Sequence, residues 1–327
     1  MNGVRSRILA LIRVKHNRSV SVVKNEKPFH HQLQSGDFIV TAEYLPKAET
    51  TGTAIEAALQ ALAEVPSAVN VADNPFGIVM SSLAASVILA RSGIEPIYQI
   101  VTRDRNRIAI QSDLLGAAAL GIRNILCLSG YHQTLTDNPE SANVYDLDST
   151  QLVALVKKMR DRGELLNGER INGPFPVIVG AVANPCLKPV DLGIIRLMQK
   201  VEAGADFIQT HAVFDIEGFG LWLDAAKQAG ITDKTAILVG VFPLESAEES
   251  ETLAKRYTEF QIPAPVMERL KSAGDREAQK KEGLAICVET IDKLKNLNGL
   301  RGIHLLSGGK EEILPAILTA AGLSGKR

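Results

Sequence analysis

A carboxylic acid ends an apolar stretch near the start of the chain, where residues 38–46 read FIVTAEYLP. The run of strand-forming residues stops at Glu43, and Tyr44 and Pro46 follow at once. A carboxyl group held in apolar surroundings is of the type that exchanges protons with a substrate, because burial raises its pKa. A solvated turn residue is the alternative, and this stretch alone does not decide between the two.

Polar residues also cluster where the other apolar runs of the sequence end. If Glu43 were only a solvated turn residue, the other apolar runs would not need to end in polar residues as well. The polar residues at the ends of these runs therefore favour a functional role for this acid. The residues at these ends are Asp73, Thr102–Arg103–Asp104, Ser129–Gly130–Tyr131, Asn184, His211, Phe242 and Ser307–Gly308–Gly309–Lys310.

The elements that must position these residues are alternating strands and helices. Eight nearly continuous apolar runs, typical of strands buried on both faces, alternate with amphipathic stretches. The predicted strands are 38–43, 68–73, 96–101, 124–129, 176–182, 206–211, 236–242 and 302–307. The predicted helices are 54–63, 81–91, 108–120, 150–160, 190–203, 216–229, 246–257 and 311–321, with a longer helical insertion at 263–297 before the last strand.

Eight strands that alternate with eight helices predict a single (β/α)8 TIM barrel over residues 36–327. In such barrels the chemistry lies at the carboxyl ends of the strands, where the polar residues cluster. An open doubly wound sheet is the alternative. It is less favoured because no GxGxxG follows the first strand and no GxxxxGK[ST] occurs in the sequence.

The composition limits the possible partners. The net charge of −1 gives no sign of nucleic-acid binding, and no apolar run approaches the roughly 18 residues of a membrane span. Cys127, Cys186 and Cys287 are isolated, which argues against a zinc or iron–sulfur site and against disulfides, so we expect no metal and a cytoplasmic location.

Residues 1–35 form a predicted basic N-terminal extension. Residues 1–31 carry a charge of +6, which leaves −7 for the rest of the chain. A solvated, partly ordered lead-in is the simpler interpretation, and a docking arm for an acidic partner is the alternative.

The sequence resembles the flavin-dependent methylenetetrahydrofolate reductases from about Gly36 to Ala321. The resemblance rests on an ordered set of segments: TAEYLP, VNVADNP, TRDRNRIAIQSDLLGAAALGIRNILCLSG, GAVANP, KVEAGADFIQTHAVFD and GIHLLSGG. It implies a flavin-binding TIM barrel that passes a hydride from FAD, or from FMN, to the methylene group of a reduced folate or related pterin. It also implies an electron donor, either NAD(P)H or a partner redox protein, and a homo- or hetero-oligomer.

The resemblance assigns roles to individual residues. The family's acid after the first strand falls on Glu43, which would protonate a substrate nitrogen so that an iminium cation can accept hydride. His211 and Lys310 are expected to bind substrate. The flavin-contacting positions fall on Ala72, Asp73, Gln99, Ser129, Gly130, Tyr131 and Lys200, the last of which would neutralise the flavin's phosphates.

Two residues depart from the usual family pattern. Tyr131 stands where the family has an aspartate, and His211 stands where it commonly has a glutamine. We expect an altered pocket rather than an inactive one, because both changes fall on the substrate side while Glu43 is kept. A pterin-binding barrel that transfers a methyl group, or a non-catalytic reductase-like subunit of a redox complex, remains an alternative.

Overall fold

The computed structural model describes residues 27–324, which contain a closed barrel of eight parallel strands. Neighbouring strands pair in chain order, and the barrel closes where Ile39 lies opposite Gly302 and Thr41 opposite His304. The predicted (β/α)8 barrel is confirmed, and an open sheet is excluded. The strands are β1 (Ile39–Tyr44), β2 (Ala68–Val71), β3 (Pro96–Val101), β4 (Asn124–Leu128), β5 (Ile178–Ala183), β6 (Phe207–Ala212), β7 (Ala236–Val241) and β8 (Gly302–Leu305).

Eleven α-helices accompany these strands within residues 27–324. The number exceeds the predicted eight because one helix precedes β1 and because the insertion before β8 forms two helices. The helices are α1 (Phe29–Ser35), α2 (Thr53–Leu62), α3 (Ser82–Arg91), α4 (Arg107–Ala119), α5 (Ser149–Arg162), α6 (Val190–Ala203), α7 (Ile216–Gln228), α8 (Ala247–Arg256), α9 (Ala264–Ser272), α10 (Arg276–Leu294) and α11 (Leu314–Ala320).

Helix α1 closes the amino-terminal end of the barrel. The Phe29 ring is fully buried and meets the Phe207 ring edge-on, with 5.2 Å between the ring centroids. The Phe29 N–H donates to Glu95 Oε2 at 2.9 Å, and the Arg301 guanidinium donates to the carbonyl oxygen of Leu33 at 3.2 Å near the end of the helix. Within residues 27–324 this end is therefore filled by side chains, whereas a cavity opens at the carboxyl ends of the strands.

The remainder of the predicted basic extension, residues 1–26, lies outside the described residues. Helix α1 falls within the predicted extension, yet it packs into the barrel through Phe29. Between residues 27 and 324, no helix is both long and apolar enough to cross a membrane.

The alternation of side chains along the strands builds the site layer by layer. On β1, Val40, Ala42 and Tyr44 are buried in the large cluster between the strands and the surrounding helices. Ile39, Thr41 and Glu43 therefore share the opposite face, inside the barrel. Ile39 belongs to the apolar bottom layer together with Phe29 and Phe207. Successive inward residues thus become more polar toward the carboxyl end, where Glu43 lies.

Candidate active site

A cavity of about 370 Å³ opens at the carboxyl ends of the strands. Its wall brings together the predicted site residues Glu43, Asp73, Gln99, Ser129, Gly130, Tyr131, Lys200 and His211. Two predicted residues lie outside the lining. Ala72 is buried behind it, and Lys310 pairs with Glu245 beside a smaller pocket. The strand ends thus converge on one site, as expected for a parallel barrel.

Glu43 is the acid of this cavity. Burial raises the pKa of Glu43 to about 7, and the negative charge of Glu311 acts in the same direction, while a backbone hydrogen bond from Gly308 opposes both. Glu311 is itself buried and accepts hydrogen bonds from the Leu45 N–H at 3.1 Å and from Ser307 Oγ at 3.2 Å. A large fraction of Glu43 therefore keeps its proton near neutral pH and can give it to a bound molecule.

A buried polar layer forms the floor beneath Glu43. Asn70 Nδ2 donates to Gln209 Oε1 at 2.6 Å, and Gln209 Nε2 donates to Thr41 Oγ1 at 3.1 Å. Thr41 Oγ1 also lies 3.0 Å from His304 Nδ1. Burial lowers the pKa of His304 to about 3, so its imidazole is neutral. Because these side chains are hydrogen-bonded to one another, the floor is fixed before any ligand enters.

The two departures from the family pattern, Tyr131 and His211, both lie next to Glu259. The Tyr131 hydroxyl donates a hydrogen bond to Glu259 Oε1, and His211 Nδ1 lies 4.0 Å from the same oxygen. Burial and the charge of Glu259 raise the pKa of Tyr131, so the phenol keeps its proton. Burial lowers the pKa of His211, although Glu259 opposes this shift. Both groups are therefore neutral near pH 7 and sit beside a carboxyl group.

Asp73 is largely occupied by contacts within the protein. Its carboxylate accepts the Val101 N–H at 2.9 Å and two hydrogen bonds from the Arg105 guanidinium, at 2.7 and 3.2 Å. The neighbouring Arg103, which is also buried, pairs with Asp104 and donates to the carbonyl oxygen of Tyr131 at 3.1 Å. These contacts fix the loop ends of β3 and β4 around the cavity. The predicted contact of Asp73 with a flavin stays a prediction.

Gly130 allows the chain to turn sharply into the cavity wall. Its φ angle is +83°, a backbone conformation that residues other than glycine rarely adopt. A Cβ atom added there would also lie 3.3 Å from the Cβ atoms of Val101 and Arg103. The turn and the tight packing against Val101 and Arg103 therefore both require glycine here, and Gly130 lines the cavity without a side chain.

Two cations define the opposite part of the wall. Lys200 and Arg196 are one turn apart on α6, and both line the cavity. Lys200 Nζ donates to the carbonyl oxygen of Val182 at 2.6 Å, and burial lowers the pKa of Lys200. Among residues 27–324, neither cation lies within ion-pair distance of a carboxylate. Their charge is therefore free to meet an anionic ligand, which fits the phosphates of a flavin.

Sequence reasoning missed the polar floor, Arg196 and Glu259. The floor residues had a usable signal, because Asn70, Gln209 and His304 interrupt otherwise apolar strands at inward-facing positions. Arg196 had one as well, since it stands four residues before Lys200 on the same helix. Glu259 had none, since it reaches Tyr131 and His211 from the loop between α8 and α9. Within the described residues, no group of three or more His, Cys, Asp or Glu is arranged to hold a metal ion.

A closed parallel barrel with titratable groups gathered at its carboxyl end defines the class of (β/α)8-barrel enzymes. The sequence profile described as methylenetetrahydrofolate reductase matches residues 28–322. The chain therefore belongs to the methylenetetrahydrofolate reductase family, a family of oxidoreductases. The predicted family is confirmed.

Curated relatives carry the same description. A probable NADPH-dependent methylenetetrahydrofolate reductase of Caenorhabditis elegans is 26% identical over 245 residues, which are 74% of this chain and 34% of the relative. The 5,10-methylenetetrahydrofolate reductase of Escherichia coli K12 is 25% identical over 206 residues, which are 62% of each chain. The chain thus spans about a third of the nematode relative and less than two thirds of the bacterial one.

A solved structure shares the fold. A Clostridium thermocellum protein, described as binding two copies of 5-methyl-5,6,7,8-tetrahydrofolic acid, superposes with a TM-score of 0.61 at 14% identity. The match covers 90% of this chain and 98% of that one. At this level of identity the likeness shows the barrel fold.

Proposed function

We propose that this protein reduces the methylene group of a reduced folate, converting 5,10-methylenetetrahydrofolate to 5-methyltetrahydrofolate, with a bound flavin. The family supports this reaction class. The observation that carries the proposal is Glu43, a carboxyl group in the cavity wall whose pKa is raised to about 7. The reaction needs such a group because of the chemistry of the substrate.

The substrate's methylene carbon bridges two nitrogens and accepts hydride poorly in that form. A proton delivered to one nitrogen opens the ring and leaves an iminium cation at the carbon, which accepts hydride readily. Glu43 can deliver this proton because it is still protonated near neutral pH. The hydrogen-bonded floor of Thr41, Asn70, Gln209 and His304 limits how deeply the substrate can enter and so holds it beside Glu43.

Two features of the cavity support a bound flavin. Lys200 and Arg196 offer two cations for a diphosphate, and Gly130 leaves part of the wall without a side chain, which suits a flat ring. The two neighbouring cations favour FAD over FMN, because they match the pyrophosphate of FAD better than the single phosphate of FMN. When bound, the flavin supplies the hydride. The roles of Lys200, Gly130, Ser129 and Gln99 in holding it are part of this proposal.

The electron donor is either NAD(P)H or an associated redox protein. Both donors are compatible with the cavity, because Tyr131 and His211 alter the wall that a nicotinamide would share with the folate. If the protein uses a single donor, the bound flavin should be reduced either by NAD(P)H or by the redox protein, but not by both.

The test measures the two half-reactions separately in the variant Glu43→Gln. This substitution keeps the shape of the side chain but removes the transferable proton. We expect reduction of the methylene substrate to fall by about 10²-fold or more, the usual scale for losing general acid catalysis. Reduction of the flavin by its own donor should change little, since that step needs no proton on the folate. Stopped-flow absorbance of the flavin measures both rates.

Equal losses in both half-reactions would mean that Glu43 supports the fold or the flavin rather than the proton transfer. A colourless, correctly folded protein would instead favour a pterin-binding barrel without redox chemistry.

A further inference from the structure

Glu259 lies behind the cavity wall without lining the cavity itself. Its side chain is 6% exposed and accepts the Tyr131 hydroxyl, while His211 Nδ1 stands 4.0 Å away. Tyr131 and His211 do line the cavity. Whatever Glu259 does to a ligand, it therefore does through these two side chains.

The loop that carries Glu259, residues 257–263, is held on several sides. Just before it, the Arg256 guanidinium donates to the carbonyl oxygen of Leu135 at 2.7 Å. The buried Tyr257 ring lies 4.9 Å from the Tyr131 ring and 5.4 Å from the Phe76 ring, measured between centroids. Phe260 continues into the cavity wall. Glu259 is therefore placed by the packing of its own loop as well as by its contact with Tyr131.

The contact with Glu259 fixes the direction of the Tyr131 hydrogen bond. The phenol has a single proton and donates it to Glu259 Oε1, so the O–H points toward Glu259. The phenol oxygen is left with lone pairs and no proton for the cavity.

The same reasoning applies to His211. A neutral imidazole carries one N–H, and a carboxylate 4.0 Å from Nδ1 favours the form with the proton on that nitrogen. The distance is too long for a hydrogen bond, but the charge still orients the N–H dipole. The other ring nitrogen, Nε2, then offers a lone pair.

We propose that Glu259 is a positioning residue that turns Tyr131 and His211 into a pair of hydrogen-bond acceptors facing the cavity. Two adjacent acceptors recognise a ligand edge made of two adjacent donors. The inference rests on the proposed function, since a reduced pterin has such an edge in its exocyclic amino group and the neighbouring ring N–H. Glu259 thus sets specificity for the aminopyrimidinone ring of the substrate.

The experiment compares two ligands that differ in one donor. The probes are 5-methyltetrahydrofolate and its analogue with a methyl group in place of the 2-amino group, titrated calorimetrically into the purified full chain. We expect the unaltered protein to bind the amino form about 10-fold more tightly or better, the usual scale for one buried hydrogen bond.

In Glu259→Gln the side-chain amide can donate to Tyr131, so the phenol is free to turn its proton into the cavity. We expect the preference for the amino form to fall below about 3-fold, through weaker binding of the amino form, with affinity for the methyl analogue kept. The matched control is Glu251→Gln, the same substitution on α8 at a residue that pairs with Lys271 away from the cavity. It should keep the full preference.

An unchanged preference in Glu259→Gln, or an equal loss in Glu251→Gln, would overturn the inference. Tyr131→Phe, which deletes one acceptor and keeps the ring stack, must also lower the preference, and it carries the test if Glu259→Gln does not fold. Failure of the proposed function looks different: the unaltered protein would then bind neither ligand and release no flavin on denaturation.

Discussion

At the scale of single residues, the pKa of Glu43 makes the activity depend on pH. Its carboxyl group must carry a proton to act, and its pKa is about 7. We expect the rate of methylene reduction at saturating substrate to be constant below about pH 7 and to fall about tenfold per unit above it. Burial lowers the pKa of His211, so this residue loses its proton at a lower pH than an exposed histidine does.

Stopped-flow measurement of that half-reaction between pH 6 and 9 gives the profile. The Glu43→Gln variant is the control, because its slow residual rate should show no inflection near pH 7. A profile with the same inflection in both proteins would assign the titration to another group.

The Tyr131–Glu259 contact predicts the result of restoring the family's aspartate. In Tyr131→Asp a second carboxylate would stand in the same buried surroundings as Glu259, although the shorter side chain does not reach it, and two like charges in such a site repel each other. We expect Tyr131→Asp to unfold more easily than Tyr131→Asn by about 3 kcal/mol, the scale of an uncompensated buried charge. The asparagine variant has the same shape and accounts for the lost ring.

Adding Glu259→Gln should remove most of this difference, because the second charge is then gone. Urea unfolding at pH 8 measures four variants: Tyr131→Asp and Tyr131→Asn, each alone and each combined with Glu259→Gln. A difference that survives in the presence of Glu259→Gln would show that the two side chains do not interact.

At the scale of elements, α1 is part of the barrel's stability. Phe29 is fully buried in the apolar bottom layer with Ile39 and Phe207. We expect Phe29→Ala to lower the free energy of unfolding by about 3–5 kcal/mol, as for other buried phenylalanines. Denaturant unfolding followed by circular dichroism measures the change. His31→Ala on the exposed side of α1 is the control and should shift the midpoint little; equal shifts would mean that the helix is not anchored by Phe29.

The elements themselves were largely predictable from the sequence. Strands buried on both faces read as apolar runs, and parallel order leaves few ways to connect them, so the barrel followed from the alternation. Helix α1 was not predicted, because seven residues with two histidines give little periodicity and Phe29 gains its burial only from the assembled barrel.

The site was predictable only where it depends on the ends of strands. Glu43 and His211 follow from their positions in the strands, since every strand end opens on the same side. Glu259 does not, because the path of the loop between α8 and α9 depends on packing of Tyr257 and Phe260 that no local pattern encodes. Lys310 illustrates the reverse case: its position after β8 suggested the cavity, but Glu245 holds it to one side.

At the scale of the whole molecule, the cation pair on α6 predicts which flavin is bound. Lys200 and Arg196 face the same cavity and together match two phosphates. We expect FAD to be released when the purified protein is denatured, and reversed-phase chromatography of the supernatant identifies it. Arg196→Ala should lower the FAD content more than the exposed Lys255→Ala does. Recovery of FMN alone would contradict the match to a pyrophosphate.

The pairing of β1 with β8 has a consequence for how the protein is made. Thr41 and its buried partner His304 are 263 residues apart, which corresponds to roughly 13 to 50 seconds of translation at about 5–20 residues per second. For that time the nascent chain carries β1 with one edge unpaired, a surface that favours association with other chains. The cavity exists only after β8 has left the ribosome. A ligand of the cavity can therefore stabilise the finished barrel but cannot assist the strands that are synthesised first.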